Sequence, residues 1–141
     1  MNAIVRTRWA IAEGHIPSRS SFTDRALVSH ETACLLNASG SDAHVALTIF
    51  FADRDPVGPY RITVPARRTL HLRFNDLVQR SPVPRDTDFS STFESDVPIV
   101  VQHTRLDSRH AEVEFVVNDC LQRRVSCSTT ITTPLHFFDL A

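Results

Sequence analysis

Residues 44–52 read His44-Val45-Ala46-Leu47-Thr48-Ile49-Phe50-Phe51-Ala52. Val45, Leu47, Ile49 and Phe51 fall on one parity, which is the period of a strand with one buried face; a helix would scatter them around its circumference. Upstream, Asn37-Ala38-Ser39-Gly40-Ser41-Asp42 is a loop of small polar residues, preceded by Leu27 to Asn37, which ends in the apolar run Ala33-Cys34-Leu35-Leu36. The two segments and their loop read as a hairpin. Downstream, Asp53-Arg54-Asp55-Pro56-Val57-Gly58-Pro59 concentrates the residues that reverse a chain, and Tyr60, Ile62 and Val64 then resume the alternation until Pro65 closes it. From Thr69 to Asn75, Leu70, Leu72 and Phe74 point inward, with His71 and Arg73 outward.

The same period extends to both sides. Val5, Trp9 and Ile11 share a parity within Ile4 to Ala12. Ser81-Pro82-Val83-Pro84-Arg85-Asp86 is a surface connection, because its prolines remove backbone donors. Phe89 to Glu94 reads as a short edge strand, and Pro98 begins a separate strong strand, Ile99 to Arg105, after which Leu106-Asp107-Ser108-Arg109 leaves the sheet. About seven short strands with frequent turn signals predict an all-β fold, an antiparallel β-sandwich of jelly-roll type. Residues 1–112 carry this pattern. Residues 113–141 read as a C-terminal extension, strand-forming or partly flexible: Val113 to Val117 and Val125 to Thr133 are rich in β-branched residues, and Asp119 to Arg124 suits a turn of helix.

A chain of 141 residues is one ordinary domain, and with 42% apolar residues it can bury a core without staples. Cys34, Cys120 and Cys127 are odd in number and fit no disulfide or zinc spacing, so a reducing cytoplasm is expected. Residues 1–14 lack the apolar stretch of a secretory leader, and Val45 to Ala52 is far shorter than the roughly 20 residues that cross a bilayer as a helix. Gly14, Gly40 and Gly58 are too dispersed for a phosphate-binding glycine motif, and all fifteen basic residues are arginine. No nucleophile elbow surrounds Ser108, whose neighbour His110 is close in sequence alone. No catalytic residue, metal or cofactor is therefore assigned. His30, His71 and His103 with Glu31 form the one conceivable mixed metal set, without diagnostic spacing. The densest polar constellation is Gln102 to Arg109, at the end of a strong strand, where sandwiches place binding groups. His30, Glu31, Arg67, Arg68, His103, Arg105, Asp107 and Arg109 are the candidate ligand- or partner-binding residues, with an Arg105–Asp107 pair as the structural alternative. The doublets Arg67-Arg68 and Arg123-Arg124 are the only basic concentrations in a chain of net charge -1, a weak signal for nucleic acid.

Several strings, taken together, resemble the sensory rhodopsin transducer family: Trp9-Ala10-Ile11-Ala12-Glu13-Gly14-His15-Ile16-Pro17, Ser29-His30-Glu31-Thr32, Pro56-Val57-Gly58-Pro59-Tyr60-Arg61, Val64-Pro65-Ala66-Arg67-Arg68-Thr69, Arg73-Phe74-Asn75-Asp76-Leu77, and Pro98-Ile99-Val100-Val101-Gln102-His103-Thr104-Arg105-Leu106-Asp107-Ser108-Arg109. The resemblance implies a small jelly-roll-like sandwich that assembles as a homotetramer. It also implies a cytoplasmic, non-enzymatic role, docking on a membrane photoreceptor or another signalling partner and relaying its state. A module for a sugar or small anionic metabolite is the alternative, and a DNA-binding regulator a further one. The resemblance stops at Arg109, so partner specificity is expected to differ in the segment beyond it.

Overall fold

The computed structural model describes residues 5–110, together with the backbone of residues 113–118 and 128–133. The described elements are β1 (Arg6–Ile11), β2 (His30–Asn37), β3 (Ala43–Phe51), β4 (Val57–Val64), β5 (Arg68–Arg73), a 3-10 turn (Phe74–Asp76), β6 (Phe89–Asp107), β7 (Val113–Asn118) and β8 (Ser128–Thr133). Every strand pairing is antiparallel. The architecture is the expected β-sandwich of jelly-roll type.

The strands form two leaves joined by β6, which is 19 residues long. Its first half lies between β1 and β3, and β3 pairs in turn with β4. Its second half lies between β2 and β7, with β5 and β8 beyond them. Two expectations are thereby corrected. Phe89 to Glu94 is central, with neighbours on both sides, and it runs without a break into Ile99 to Arg105. Leu27–Asn37 and His44–Ala52 do not form a hairpin: β2 and β3 each pair with β6, on opposite leaves, so the Asn37–Asp42 loop crosses between leaves. Alternation specifies which face of a strand is buried and says nothing of its neighbour. Pro98 is tolerated inside β6 because pairing with β3 ends at Ser95 and pairing with β2 begins at Val100. β2 also starts later than expected, at His30, because Asp24 accepts hydrogen bonds from the backbone N–H groups of Ala26, Leu27 and Val28 and closes a turn there.

The core lies between the leaves. Trp9, Ile11, Val45, Leu47, Ile49, Tyr60 and Val64 come from one, Ala33 and Leu35 from the other, and Phe93, Ile99 and Val101 from the shared strand. Trp9 Nε1 donates to the carbonyl of Ile99 at 3.1 Å and Tyr60 Oη to that of Ser81 at 2.6 Å, so both polar aromatic atoms are satisfied as burial requires. Phe74 packs its ring 5.4 Å from Phe89 and edge-on at 6.4 Å from Phe93. No helix among the described residues is long and apolar enough to cross a membrane.

Candidate functional site

The register of β2 and β6 sets Leu35 opposite Val101, Ala33 opposite His103 and Glu31 opposite Arg105, all facing the interior. Period two therefore carries the inner face from apolar to ionic within two rungs. Glu31 is fully buried and His103 is 1% exposed. His103 Nε2 donates a very short hydrogen bond to Glu31 Oε2, while the backbone N–H of His15 donates to Glu31 Oε1 at 2.7 Å. Arg105 Nε lies 3.5 Å from the same Oε1, an ion-pair distance without hydrogen-bond alignment, and its Nη1 donates to Glu13 at 2.7 Å. Asn75 clamps the start of β2, accepting from the N–H of Glu31 at 3.3 Å and donating to the carbonyl of Ser29 at 3.1 Å. A buried charge is tolerable only with such partners.

Beside this cluster, the Ser108 hydroxyl is shared between Ser20 and Ser29, at 3.2 Å from the latter, and the Ser108 N–H donates to Ser29 Oγ at 3.0 Å. Ser108 ties the end of β6 to the segment before β2, which is a structural role. The expected Arg105–Asp107 pair is absent, because Arg105 is taken by Glu13 and Glu31. Asp107 instead binds Arg109, whose Nε and Nη2 lie 3.0 and 2.6 Å from Asp107 Oδ2. Burial alone would raise the Asp107 pKa; the hydrogen bonds and charge of Arg109, with the charge of Arg105, outweigh it and hold the carboxyl below its usual range.

The remaining candidates are dispersed. His30 faces outward from β2 and its Nδ1 donates to the carbonyl of Val28 at 2.8 Å, while His71 is exposed on β5, so His30, His71, His103 and Glu31 do not converge on one point. Among the described residues no three His, Cys, Asp or Glu side chains are grouped to hold a metal. Arg67 and Arg68 are exposed at the turn into β5, where Arg68 is opposite Asn37. Six residues of strand put them about 20 Å from Glu31. Glu13, His15 and Asn75 escape a reading by strand period because they reach the cluster from outside the strands, Asn75 from the 3-10 turn. Their shared signal is their place in the transducer-like strings; Glu13 and His15 also flank Gly14, whose Cβ position is filled by the Phe89 ring, so that an added carbon there would stand 2.4 Å from it.

The family model of the Anabaena sensory rhodopsin transducer matches residues 4–118, most of the chain and every residue of this cluster. The chain belongs to that family. The solved structure of the Anabaena sensory rhodopsin transducer is 59% identical, with a TM-score of 0.66; the match covers 74% of this chain and all of that one. A crystal structure of the Thermotoga maritima protein numbered 1070 is 29% identical with a TM-score of 0.65, and its match covers 95% of this chain and 94% of its own. The chain matches no curated protein. Four of the six strings read as transducer-like contribute to the cluster and its flank: Glu13 and His15 in the first, Glu31 in the second, Asn75 in the fifth, and His103, Arg105 and Ser108 in the last.

Proposed function

We propose that this transducer-family chain is a non-enzymatic signalling protein that acts by docking: a cytoplasmic homotetramer that engages a membrane photoreceptor and relays its state. The carrying observation is the 59% identity along the full length of the Anabaena sensory rhodopsin transducer. The geometry supports it. Glu31 and His103 are withheld from solvent, and Arg105 links them to the surface, where its guanidinium meets the exposed carboxylate of Glu13. A partner that competes for Arg105 or Glu13 changes what holds the 13–15 segment against β2, and a difference in affinity for two such arrangements is all that relay requires. Arg67 and Arg68 offer further guanidiniums at the surface, where planar groups suit carboxylates of a partner or of a second copy, while Arg109 takes part through its pair with Asp107. Partner specificity is assigned to the segment beyond Arg109, residues 110–141, of which the family model still matches 110–118. His30, Glu31, His103 and Asp107 then act from beneath or beside the contact.

The test combines light scattering on the purified protein with a binding titration against the retinal protein of the source organism in nanodiscs. The reading requires a mass of four chains and saturable binding that is weakened by Arg105→Lys. A monomer, or no binding at micromolar concentrations, overturns it. A second reading, a module for a sugar or small anionic metabolite, draws on His103 Nδ1, which is buried without a hydrogen-bond partner. It requires a thermal shift with one class of such ligands at millimolar concentration, and flat shifts reject it.

A further inference from the structure

β4 is the edge strand of its leaf, pairing with β3 alone among the described strands. An edge strand leaves a row of main-chain N–H and C=O groups open to any extended chain. At the middle of β4 a single side chain closes that row. Gln79 Oε1 accepts from the Arg61 N–H at 2.9 Å and Gln79 Nε2 donates to the Arg61 carbonyl at 3.0 Å, so one amide makes both bonds that a residue of a neighbouring strand would make. Two residues earlier, Pro59 has no N–H to offer, and its carbonyl lies 3.5 Å from Arg80 Nε.

The segment that brings Gln79 there is a strap. Leu77 and Val83 are buried at its two ends, and residues 78–82 between them are all exposed, Val78 by 72%. The strap meets β4 through side chains: besides the Gln79 amide, Tyr60 Oη donates to the Ser81 carbonyl at 2.6 Å, and no main-chain hydrogen bond joins the two segments among the described residues. Exposed bonds of this kind exchange with others at small net cost, so the edge is closed by a replaceable group. Arg61 and Arg80 flank it with exposed guanidiniums, and neither has a carboxylate partner among the described residues. Across the sheet, Ala46 separates Arg61 from Glu94, which Arg8 already binds at 2.6 Å. A second copy whose β4 paired antiparallel about these two bonds would set Arg61 opposite Arg61, a like-charge rung that opposes self-pairing.

We propose that the β4 edge at Arg61 is a docking site for an extended acidic segment of a partner protein, which adds to the sheet as a strand in place of Gln79. The main chain of that segment takes over the Arg61 N–H and carbonyl, which supplies affinity for any extended chain. Its carboxylates supply the selectivity: one opposite Arg61 meets that guanidinium, and Arg80, released from Pro59, takes a second. Until such a segment arrives, Gln79 keeps the edge from pairing at random. The site requires neither a photoreceptor nor a tetramer and lies on the leaf that does not hold the Glu31 cluster, so it stands apart from the docking reading above.

The experiment is an NMR titration of the full chain with an end-capped synthetic peptide of alternating threonine and glutamate, following the Arg61 main-chain N–H and the Gln79 side-chain amide. The expected result is saturable shifts of both signals. Two control peptides should leave them unmoved: one with lysine for glutamate, and one N-methylated at its glutamates, which keeps the charge and loses the main-chain donors. Gln79→Ala, at an exposed position that leaves both anchors of the strap in place, should tighten binding at least about threefold by removing the competing amide. Arg61→Gln should weaken it at least about threefold, the effect of one exposed ion pair. No shift at millimolar peptide, equal shifts with the N-methylated or the lysine peptide, or a Gln79→Ala variant that binds no tighter overturns the proposal. So does a Gln79→Ala chain of higher mass than the parent by light scattering, which makes a second copy the occupant of the edge. None of these readouts involves the receptor, so their failure leaves the docking reading standing, and its failure leaves them.

Discussion

Replacing His103 with leucine tests whether the Glu31 cluster is a stabilising unit. The substitution keeps a side chain of similar bulk in β6 and deletes the donor to Glu31 Oε2, leaving that oxygen in a site with no access to water. Removing one partner of a buried pair costs about 3–5 kcal/mol. Here the lower end applies, since Oε1 keeps the His15 N–H at 2.7 Å and Arg105 at 3.5 Å, and the added apolar surface of leucine returns about 1 kcal/mol. The net expectation is a loss of about 2–3 kcal/mol. For a chain of this length that lowers Tm by roughly 6–12 °C.

The companion variant is Glu31→Gln in the His103→Leu background. Glutamine still accepts from His15 but carries no charge, so the double variant should recover part of the loss, with a coupling of at least about 1 kcal/mol relative to the sum of the single changes. Urea unfolding followed by the fluorescence of Trp9, the single tryptophan, supplies both numbers at a fixed protein concentration, because assembly makes stability depend on it. A His103→Leu loss below about 0.5 kcal/mol, or strict additivity in the double variant, refutes the reasoning: it would mean that the carboxylate is held by His15 and Arg105 alone.

Gly14→Ala should destabilise by about 1–3 kcal/mol, because the new methyl group would stand 2.4 Å from the Phe89 ring and the 13–15 segment would have to shift; an unchanged Tm shows that the ring moves aside freely. His30 should titrate below its ordinary value of 6.5, because burial, joined by the charges of Arg73 and Arg25, outweighs the Val28 hydrogen bond, so its contribution to stability is intact above that pH and is lost as the pH falls toward the lowered folded value. NMR titration of its ring checks this, and Arg73→Gln should move the midpoint upward; a midpoint at or above 6.5 in the parent rejects the assignment. The Asp107 pKa is also lowered by folding, so its stabilisation is present above the ordinary aspartate range and disappears as pH falls through the folded value. Asp107→Asn should therefore be less stable than the parent near neutral pH and indistinguishable from it in strong acid, as read by urea midpoints at both pH values.

How far the sequence carried the fold follows from what period two encodes. Val45, Leu47 and Ile49 were expected on a buried face and are there, as are Trp9, Ile11 and Phe74. Pairing is another matter. The Asn37–Asp42 loop has the composition of a hairpin connection, yet its strands are separated by β6, each pairing with a different half of that strand. The split of β6 at Pro98 had the same origin: a proline reads as a boundary unless it falls where no neighbour needs its N–H. The candidate site was legible in part. Glu31, His103 and Arg105 lie on two strands whose register brings them together, and Asp107 and Arg109 close on each other at the end of β6. Arg67 and Arg68 are at the far end of β2, and His30 faces away, because neighbours in sequence on a strand point to opposite faces.

The absence of lysine gains a physical meaning at Arg105. One guanidinium there addresses two carboxylates at once, Glu13 through Nη1 and Glu31 through Nε, one at the surface and one buried. An ammonium group is a single point on a flexible stem and cannot occupy both positions. The fork thus connects the interior pair to the exterior, so a contact that draws Glu13 away alters the field on a carboxylate that solvent never reaches. Arg25 and Arg73 divide that work differently on the outer face: Arg25 uses its backbone carbonyl to orient Arg73 and its guanidinium to hold Asp76. In both places the arginine count reflects directional contacts between elements remote in sequence. Composition alone leaves unexplained why Arg105 sits one rung beyond His103 on the same face, where its reach is needed.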